Sequence, residues 1–454
     1  MLRRQGADRS SRPLMLSERA CDPACVARTR SPRRIFLGPI EIAGVFSGLE
    51  AGFRELGVPA RFIDISGDPF AYRASPFAHL LAGPTAAIGR SPDGRLTAHL
   101  RRVARGLARV VVFVAACLRF DAFVLGGTGF FYGWELPILR LLHKKVVWVF
   151  LGSDHRPPYL NGRFVRSHGP LEARSLAHET RRVSNRVRRV EAGADAIVAN
   201  EASAQFHRRP FVRLLSIGLP TPVGGEPAVQ HPHPPDPSSV VRILHCPTDP
   251  VAKGSSSIRT VVDELAASGL PIVYREMVGR PHSEVLEAVR EADLVVDEMY
   301  GDTPMGVLAA EAAAAGTPTV CGGYFADLVP RLIPAPAVPP TAFVEPGALG
   351  STLRRLVEDR SARMELGEAA RAFVLEQWRP AAVAERVLEV LSGRAPKAWY
   401  VEPATITYVD GYGLPRPRRI RATAELVTAC GASVLALDHR PDLLRVLLAD
   451  ASIQ

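Results

Sequence analysis

Two stretches in the latter half of the chain combine residue types suited to gripping an anion and a vicinal diol. The first runs His245-Cys-Pro-Thr-Asp-Pro-Val-Ala-Lys253-Gly254-Ser255-Ser256-Ser257. It reads as the turn between a strand and a helix. Its three serines are expected to cap that helix, whose free N–H groups would join the lysine ammonium as an anion site. Lysine is scarce in this chain: of 56 basic residues only Lys144, Lys145, Lys253 and Lys397 are lysines. The stretch is not a P-loop, because the order is Lys-Gly and the upstream glycine is missing. An exposed lysine beside ordinary serine caps is the plain alternative.

The second stretch runs Asp297-Glu-Met-Tyr-Gly301-Asp302-Thr303-Pro304-Met305-Gly306-Val307-Leu-Ala-Ala-Glu311 and continues to Gly316-Thr-Pro318. A strand is expected to end at Asp297, with Thr303 as N-cap and Pro304 as the first residue of a helix. Gly306 would leave the first turn bare for a ligand. Glu311, expected to be mostly buried in an alanine-rich helix, needs a partner. A diol could supply two hydrogen bonds to it, and a structural arginine or backbone group is the alternative.

Both stretches need a frame. Ile35 to Gly44 reads as a strand entering a glycine turn, Val45 to Leu56 as an amphipathic helix stopped by Gly57, and Ala60 to Ile65 as a second strand. Asp121 to Leu125, Val146 to Phe150 and Ala194 to Ala199 are further strands, with a helix over Leu136 to Leu142. A second run has strands over 240–245, 272–277, 293–297 and 318–321, with closing helices near 347–357, 361–377 and 380–392. Strand–helix alternation of this kind predicts an α/β protein of two Rossmann-like doubly wound domains facing each other across a cleft. The expected partition is a disordered basic arm over 1–34, a first domain over 35–220, a Pro/Gly-rich linker over 221–239, a second domain over 240–394 and an extension over 395–454. In that extension Ile420 to Gly431 and Pro441 to Leu448 read as helices and Ser433 to Leu437 as a strand, able either to pack back on the first domain or to form a small appendage.

The 454 residues are 47% hydrophobic and 22% charged, which excludes global disorder, collagen and coiled coil. The net charge of +10 is carried by arginine in a sequence rich in Ala, Gly and Pro. It has no RNP, zinc-finger or helix-turn-helix signature, so no nucleic-acid partner is expected. Six scattered cysteines (21, 25, 117, 246, 321 and 430) fit a reducing compartment. Cys21 and Cys25 lack a second pair at zinc-site spacing, His231 and His233 are isolated, and no metal is expected. The longest apolar run, Val110 to Cys117, is far short of the ~20 residues a spanning helix needs. Residues 1–34 lack a hydrophobic signal core. A cytoplasmic protein is expected, with peripheral contact to the inner membrane face as a variant.

Taken together, His245-x-Pro-x5-Lys253-Gly254, Val-Gly-Arg-Pro-His282, Ala-Asp-Leu-Val-Val-Asp297 and Gly306-x4-Glu311-Ala-x3-Gly316-x-Pro318 resemble family-4 glycosyltransferases with the GT-B fold. In the first half Gly152-Ser153-Asp154-His155-Arg156-Pro157, Ala194 to Ala199 and Ser216-Ile-Gly218-Leu-Pro220 follow in the same order, so the resemblance spans residues 35–392. It implies transfer of a sugar from a nucleotide-sugar donor to a glycan, lipid-linked or small-molecule acceptor, with retention of anomeric configuration and without metal or cofactor. Lys253, Glu311 and Asp154 would be the catalytic residues. Lys253 would hold the diphosphate with Gly254, Ser255, Thr303, Met305, Gly306 and Val307, and Glu311 the ribose. Gly44, Gly129, Asp154 and His155 would face the acceptor.

The sequence departs from that pattern at three places. Thr303 stands where such enzymes usually carry a glutamate eight positions before the residue matching Glu311. Thr248 and Asp249 stand where an arginine is common, and Leu151 where a histidine is often found. A catalytically inactive nucleotide-sugar-binding or scaffold protein is therefore the alternative, and an epimerase lacks a clear set of acid–base residues. Gly127-Thr-Gly129-Phe-Phe-Tyr-Gly133 has glycine spacing one residue too long for a nicotinamide site and reads as a tight turn or an acceptor loop. Arg101 to Phe120 reads as an ordinary helix packed on the first sheet, and its arginine-flanked apolar character also suits a membrane surface.

Overall fold

The computed structural model describes residues 34–65, 95–166, 169–222 and 240–452. The basic arm, Cys21, Cys25, His231, His233 and nearly all of the expected linker lie outside them.

The first sheet is formed by β1 (Ile35–Gly38), β2 (Ala60–Phe62), β3 (Ala122–Gly126), β4 (Lys145–Val149), β5 (Ala196–Ala199) and β6 (Phe211–Arg213), all parallel, in the order 2-1-3-4-5-6. β1, β3 and β5 are completely buried, as continuous apolar runs covered on both faces should be. Helix α1 (Val45–Glu55) joins β1 to β2 on one side, while α2 (Arg95–Arg119), α3 (Leu136–Leu141) and α4 (Pro170–Gly193) make the connections from β2 through to β5. The strand order reverses between β1 and β3.

The second sheet contains β7 (Val241–His245), β8 (Ile272–Glu276), β9 (Leu294–Val296), β10 (Thr319–Gly322) and β11 (Ala342–Val344), parallel in the order 11-10-9-7-8. Its connections are α5 (Ser255–Ala267), α6 (His282–Glu291) and α7 (Val307–Ala315), followed by α8 (Leu349–Glu358) and α9 (Arg360–Gln377). Here the reversal falls between β7 and β9. Two doubly wound α/β units are therefore present, as the strand–helix alternation predicts. The Asp359 side chain caps α9 by accepting from the Ala362 N–H at 2.9 Å.

The chain then returns to the first unit. Helix α10 (Pro380–Leu391) lies against α1 so closely that a Cβ on Gly52 would sit 2.0 Å from the Pro380 carbonyl oxygen. Strand β12 (Tyr400–Val401) adds antiparallel to β6 at the sheet edge, and α11 (Arg416–Cys430) and α12 (Pro441–Ser452) close the fold. Two expectations are corrected. Ser433 to Leu437 is not a strand, since Ala432–Leu435 forms a 3₁₀ turn. The helix expected from Thr303 begins only at Val307, with Gly306 as N-cap, because residues 301–305 are drawn into the interdomain contact described below.

Candidate functional site

In open parallel sheets a crevice opens beyond the carboxyl ends of the strands where the order reverses, because successive connections leave to opposite sides. At the β7/β9 reversal this crevice is bounded by the loop from Cys246 to Gly254 and the loop from Asp297 to Gly306. His245, fully buried, ties the base of both loops together. Its Nδ1 lies 2.8 Å from the Val296 carbonyl oxygen, which can only accept, so Nδ1 carries the proton and Nε2 accepts from the Ser255 hydroxyl at 2.8 Å. Burial lowers the pKa of His245, in keeping with a neutral ring. Ser255 is thus engaged with His245 rather than capping α5, whose N-cap is Gly254 in left-handed geometry with no side-chain cap. The expected serine cap is corrected accordingly. A Cβ on Gly254 would lie 2.6 Å from the Met299 Cβ.

Lys253 points into the crevice. Its Nζ donates to Asp297 Oδ1 at 2.9 Å and lies 2.8 Å from Glu298 Oε2. Burial alone would discharge the ammonium, but the two carboxylates raise its pKa well above the ordinary lysine value. Burial, helped by Asp297, pushes Glu298 up to about 7 against the opposing pull of Lys253. Asp297 is 1% exposed, and its second oxygen, Oδ2, has no hydrogen-bond partner. A Cβ on Gly306 would sit 3.0 Å from that oxygen, which places it against the start of α7. Val307 opens this helix. Thr303 is half-buried in the loop, and Met305 is buried in the hydrophobic core.

Glu311 lies along the same edge. Its Oε1 is 2.7 Å from His282 Nε2, and the two side chains are 12% and 27% exposed. Mostly buried as expected, Glu311 finds a histidine as its partner instead of an arginine. This hydrogen bond is the main reason the His282 pKa is raised. Both Asp297 and Glu311 add to the burial that pushes the Cys246 thiol up to about 12, so the end of β7 feels both acids. The structure thus brings Lys253, Gly254, Gly306, Val307 and Glu311 to one sheet edge.

The first-domain residues are arranged differently. Gly44 is the left-handed N-cap of α1, and the donors beyond it are taken: the Glu41 carboxylate accepts from the N–H groups of Ile42, Phe46 and Ser47 at 2.9–3.1 Å. Gly129 turns with φ 59°, and a Cβ there would lie 2.1 Å from Glu135 Oε1 and 2.5 Å from the Trp148 ring. Glu135 is itself buried and accepts from the Phe130 and Phe131 N–H groups. Gly129 therefore belongs to a packed turn. Asp154 folds back on its own loop, accepting from the Leu151 and Gly152 N–H groups at 3.1 and 3.0 Å, and burial raises its pKa. His155 is fully buried and stacked on Phe150, at the end of a chain from Glu191 Oε1 to His207 Nδ1 (3.2 Å) and from His207 Nε2 to His155 Nδ1 (3.1 Å). If Glu191 fixes the tautomers along this chain, the unpartnered Nε2 of His155 is an acceptor. Burial and the neighbouring positive charges hold the His155 pKa well below the ordinary value.

Three features of the site escaped the sequence reading. Arg156, next to His155, pairs with Asp302 of the second domain, and Asp302 also accepts from the Ser203 hydroxyl at 2.8 Å. The Arg156 guanidinium stacks 4.7 Å from the centre of the Tyr412 ring. Gly411, Tyr412 and Gly413 thread between the domains: Tyr412 N–H donates to the Leu160 carbonyl at 2.9 Å and Gly413 N–H to the Tyr300 carbonyl at 2.8 Å. Both glycines have positive φ, and a Cβ on Gly411 would meet the Leu160 oxygen at 2.0 Å. The Gly-Tyr-Gly spacing was the available signal, since glycines flanking an aromatic mark a backbone passing through a tight place. Among the described residues no His, Cys, Asp and Glu side chains group as a metal-ion site.

No protein-family model and no curated protein matches the chain. Among solved structures, Anabaena HepE in complex with UDP-glucose is 12% identical with a TM-score of 0.43, covering 79% of this chain and 99% of its own. The glycosyltransferase SnogD from Streptomyces nogalater is 16% identical at 0.37, covering 80% and 100%. A UDP-forming trehalose-phosphate synthase from Burkholderia xenovorans, in complex with glucose-6-phosphate, is 11% identical at 0.46, covering 79% and 100%.

Proposed function

We propose that this protein transfers a sugar from a nucleotide-sugar donor to an acceptor, with retention of configuration and without a metal ion. The observation that carries the reading is the inward-facing ammonium of Lys253 at the β7/β9 reversal, beside the uncapped start of α7. A diphosphate entering there would meet a fixed cation and helix N–H groups. These stabilise the negative charge that develops on the leaving nucleotide. To reach Lys253 it must displace Asp297 or Glu298. Glu298, titrating near 7, can accept a proton and release its hold on the ammonium. Glu311, steadied by His282, would accept two hydrogen bonds from the ribose diol. Gly254, Ser255, Thr303, Met305, Gly306 and Val307 would line the donor site, Ser255 acting through His245 and Met305 through its backbone. Asp154, the third expected catalytic residue, would lie on the acceptor side, with His155, Gly44 and Gly129 shaping the loops around it from buried or packed positions. The acceptor is a glycan, a lipid-linked sugar or a small molecule, in a cytoplasmic setting.

A second reading, a nucleotide-sugar-binding protein without turnover, is favoured by one observation. The Lys253 charge is already compensated by two buried carboxylates, and Thr303 supplies no acid. One assay separates the two readings: calorimetry with a panel of nucleotide sugars, coupled to detection of released nucleotide with and without sugar acceptors. Binding with release supports transfer, and binding without release supports the second reading. Absence of binding across the panel overturns both. Glu311→Gln should lower the affinity for ribonucleotides more than for 2′-deoxyribonucleotides, and equal affinities to the native chain would remove Glu311 from the ribose site.

A further inference from the structure

We propose that the outer face of α2 and α3 docks the protein on an anionic lipid surface. Helix α2 turns Val112, Phe113 and Ala116 onto the first sheet, where they are buried. On its opposite side Leu107, Val111, Val114 and Leu118 follow at i, i+4, i+7 and i+11, each 51–82% exposed. That spacing is one stripe of a helix. Helices α2, α3 and α4 connect strands that step in the same direction across the sheet, so right-handed crossovers set all three on one face. Ile138, Leu141 and Leu142 of the α3 region and Trp134 just before it are also exposed on this layer. An apolar surface of this extent is unusual for a protein that stays free in water.

Charge selects the occupant. The same layer carries the exposed Arg119 at the end of α2, Arg140 of α3, and Arg181 and Arg188 of α4, with the half-buried Arg189 beside them. The acids of the layer that reach solvent are Asp121, Glu172, Glu179 and Asp195, and Glu179 and Asp195 already pair with Arg182 and Lys145, while Glu135 and Glu191 are buried. The Arg189 guanidinium lies 4.9 Å over the ring of Trp134, which is 66% exposed. Apolar side chains and arginines on one layer, with an indole among them, match the boundary between headgroups and acyl chains of an anionic bilayer. An apolar protein partner would account for the stripe but not for the arginines. No helix among the described residues is long and apolar enough to cross a membrane, so α2 would lie along the surface.

The test is sedimentation of the full chain with phosphatidylcholine vesicles, with and without phosphatidylglycerol, in the absence of any sugar nucleotide. Binding is expected to the phosphatidylglycerol vesicles and to weaken as salt rises. Val114→Glu with Leu118→Glu should lower the bound fraction on the order of tenfold, and Arg119→Glu with Arg140→Glu should abolish the preference for the anionic lipid. All four positions are exposed, so thermal melts should match the native chain. Trp134 emission should shift to the blue on vesicles, and Trp134→Phe should lose that shift. Absence of sedimentation with phosphatidylglycerol vesicles overturns the proposal, as does undiminished binding of the Val114/Leu118 variant. A dimer in sedimentation velocity that Val114→Glu dissociates, without vesicle binding, would assign the face to a second copy of the chain.

Discussion

The two sheets reverse strand order in the same way, yet they treat the crevice at the reversal in opposite ways. At β1/β3 the start of α1 is filled by the protein's own carboxylate, with Glu41 accepting from three backbone N–H groups. Glu135 does the same for the following loop. At β7/β9 a cation occupies the crevice, two acids compete for it, and the start of α7 has no side-chain cap. The first arrangement is a closed anion site, compensated by fixed backbone dipoles. The second balances side-chain charges against one another, an arrangement that suits the proposed donor site.

The largest expected effect comes from removing the cation. Lys253→Met leaves Asp297 and Glu298 buried without a counter-charge and should cost about 3–5 kcal/mol in chemical denaturation. A loss comparable to an exposed substitution would mean the crevice is wetter than the ion pairs imply. Adding Glu298→Gln should restore part of the loss. The variant is thus a stability probe first, and binding measured with it must be corrected for unfolding.

Next comes the pH dependence of Glu298. Its folded pKa, about 7, exceeds its ordinary value of 4.5, so the native state keeps a proton that the unfolded chain has released. The stability contributed by this group should therefore be fully present below pH 4.5 and fall as pH rises from 4.5 to 7, by on the order of 3 kcal/mol. In Glu298→Gln this component should vanish from the pH profile of Tm; an unchanged slope would detach it from this group. At the closed crevice, Glu41→Gln replaces a carboxylate that accepts three bonds and should cost about 1–3 kcal/mol without altering nucleotide affinity. A change in affinity would break the contrast between the two crevices.

The smallest effect belongs to the His282–Glu311 pair. The His282 pKa is raised chiefly by its bond to Glu311, so the stability it contributes is fully present below the unfolded value and is lost as pH rises through the folded one. Partial exposure keeps this below about 1 kcal/mol. Nuclear magnetic resonance titration of His282 should show the raised value return toward 6.5 in Glu311→Gln.

Most strands and helices were legible because their signals are local. β7, β9 and β10 are apolar runs bounded by turn residues, and α8, α9 and α10 are found within a few residues of where their periodicity predicts them. β6, β11 and β12, each two or three residues long, were missed. Thr303 was misread as an N-cap because a Thr-Pro pair is a good helix start in isolation, while the structure uses the preceding Asp302 to bind the other domain. Ser255 was misread for a similar reason: it resembles a cap and is bonded to His245.

What the amino-acid order determined unaided was the alternation of strand and helix and the positions of Lys253 and Glu311 on the loop and helix that reach one sheet edge. Hydrophobic periodicity and turn chemistry act over a few residues, so they can be read from neighbours in the chain. Which charge meets which was decided only by the tertiary structure. Arg156 faces Asp302 across 146 positions, Tyr412 returns from the far end of the chain to cover Arg156, and α2 keeps one face in contact with solvent. A charged or aromatic side chain takes its partner by distance and burial, and both exist only once the domains have closed on each other.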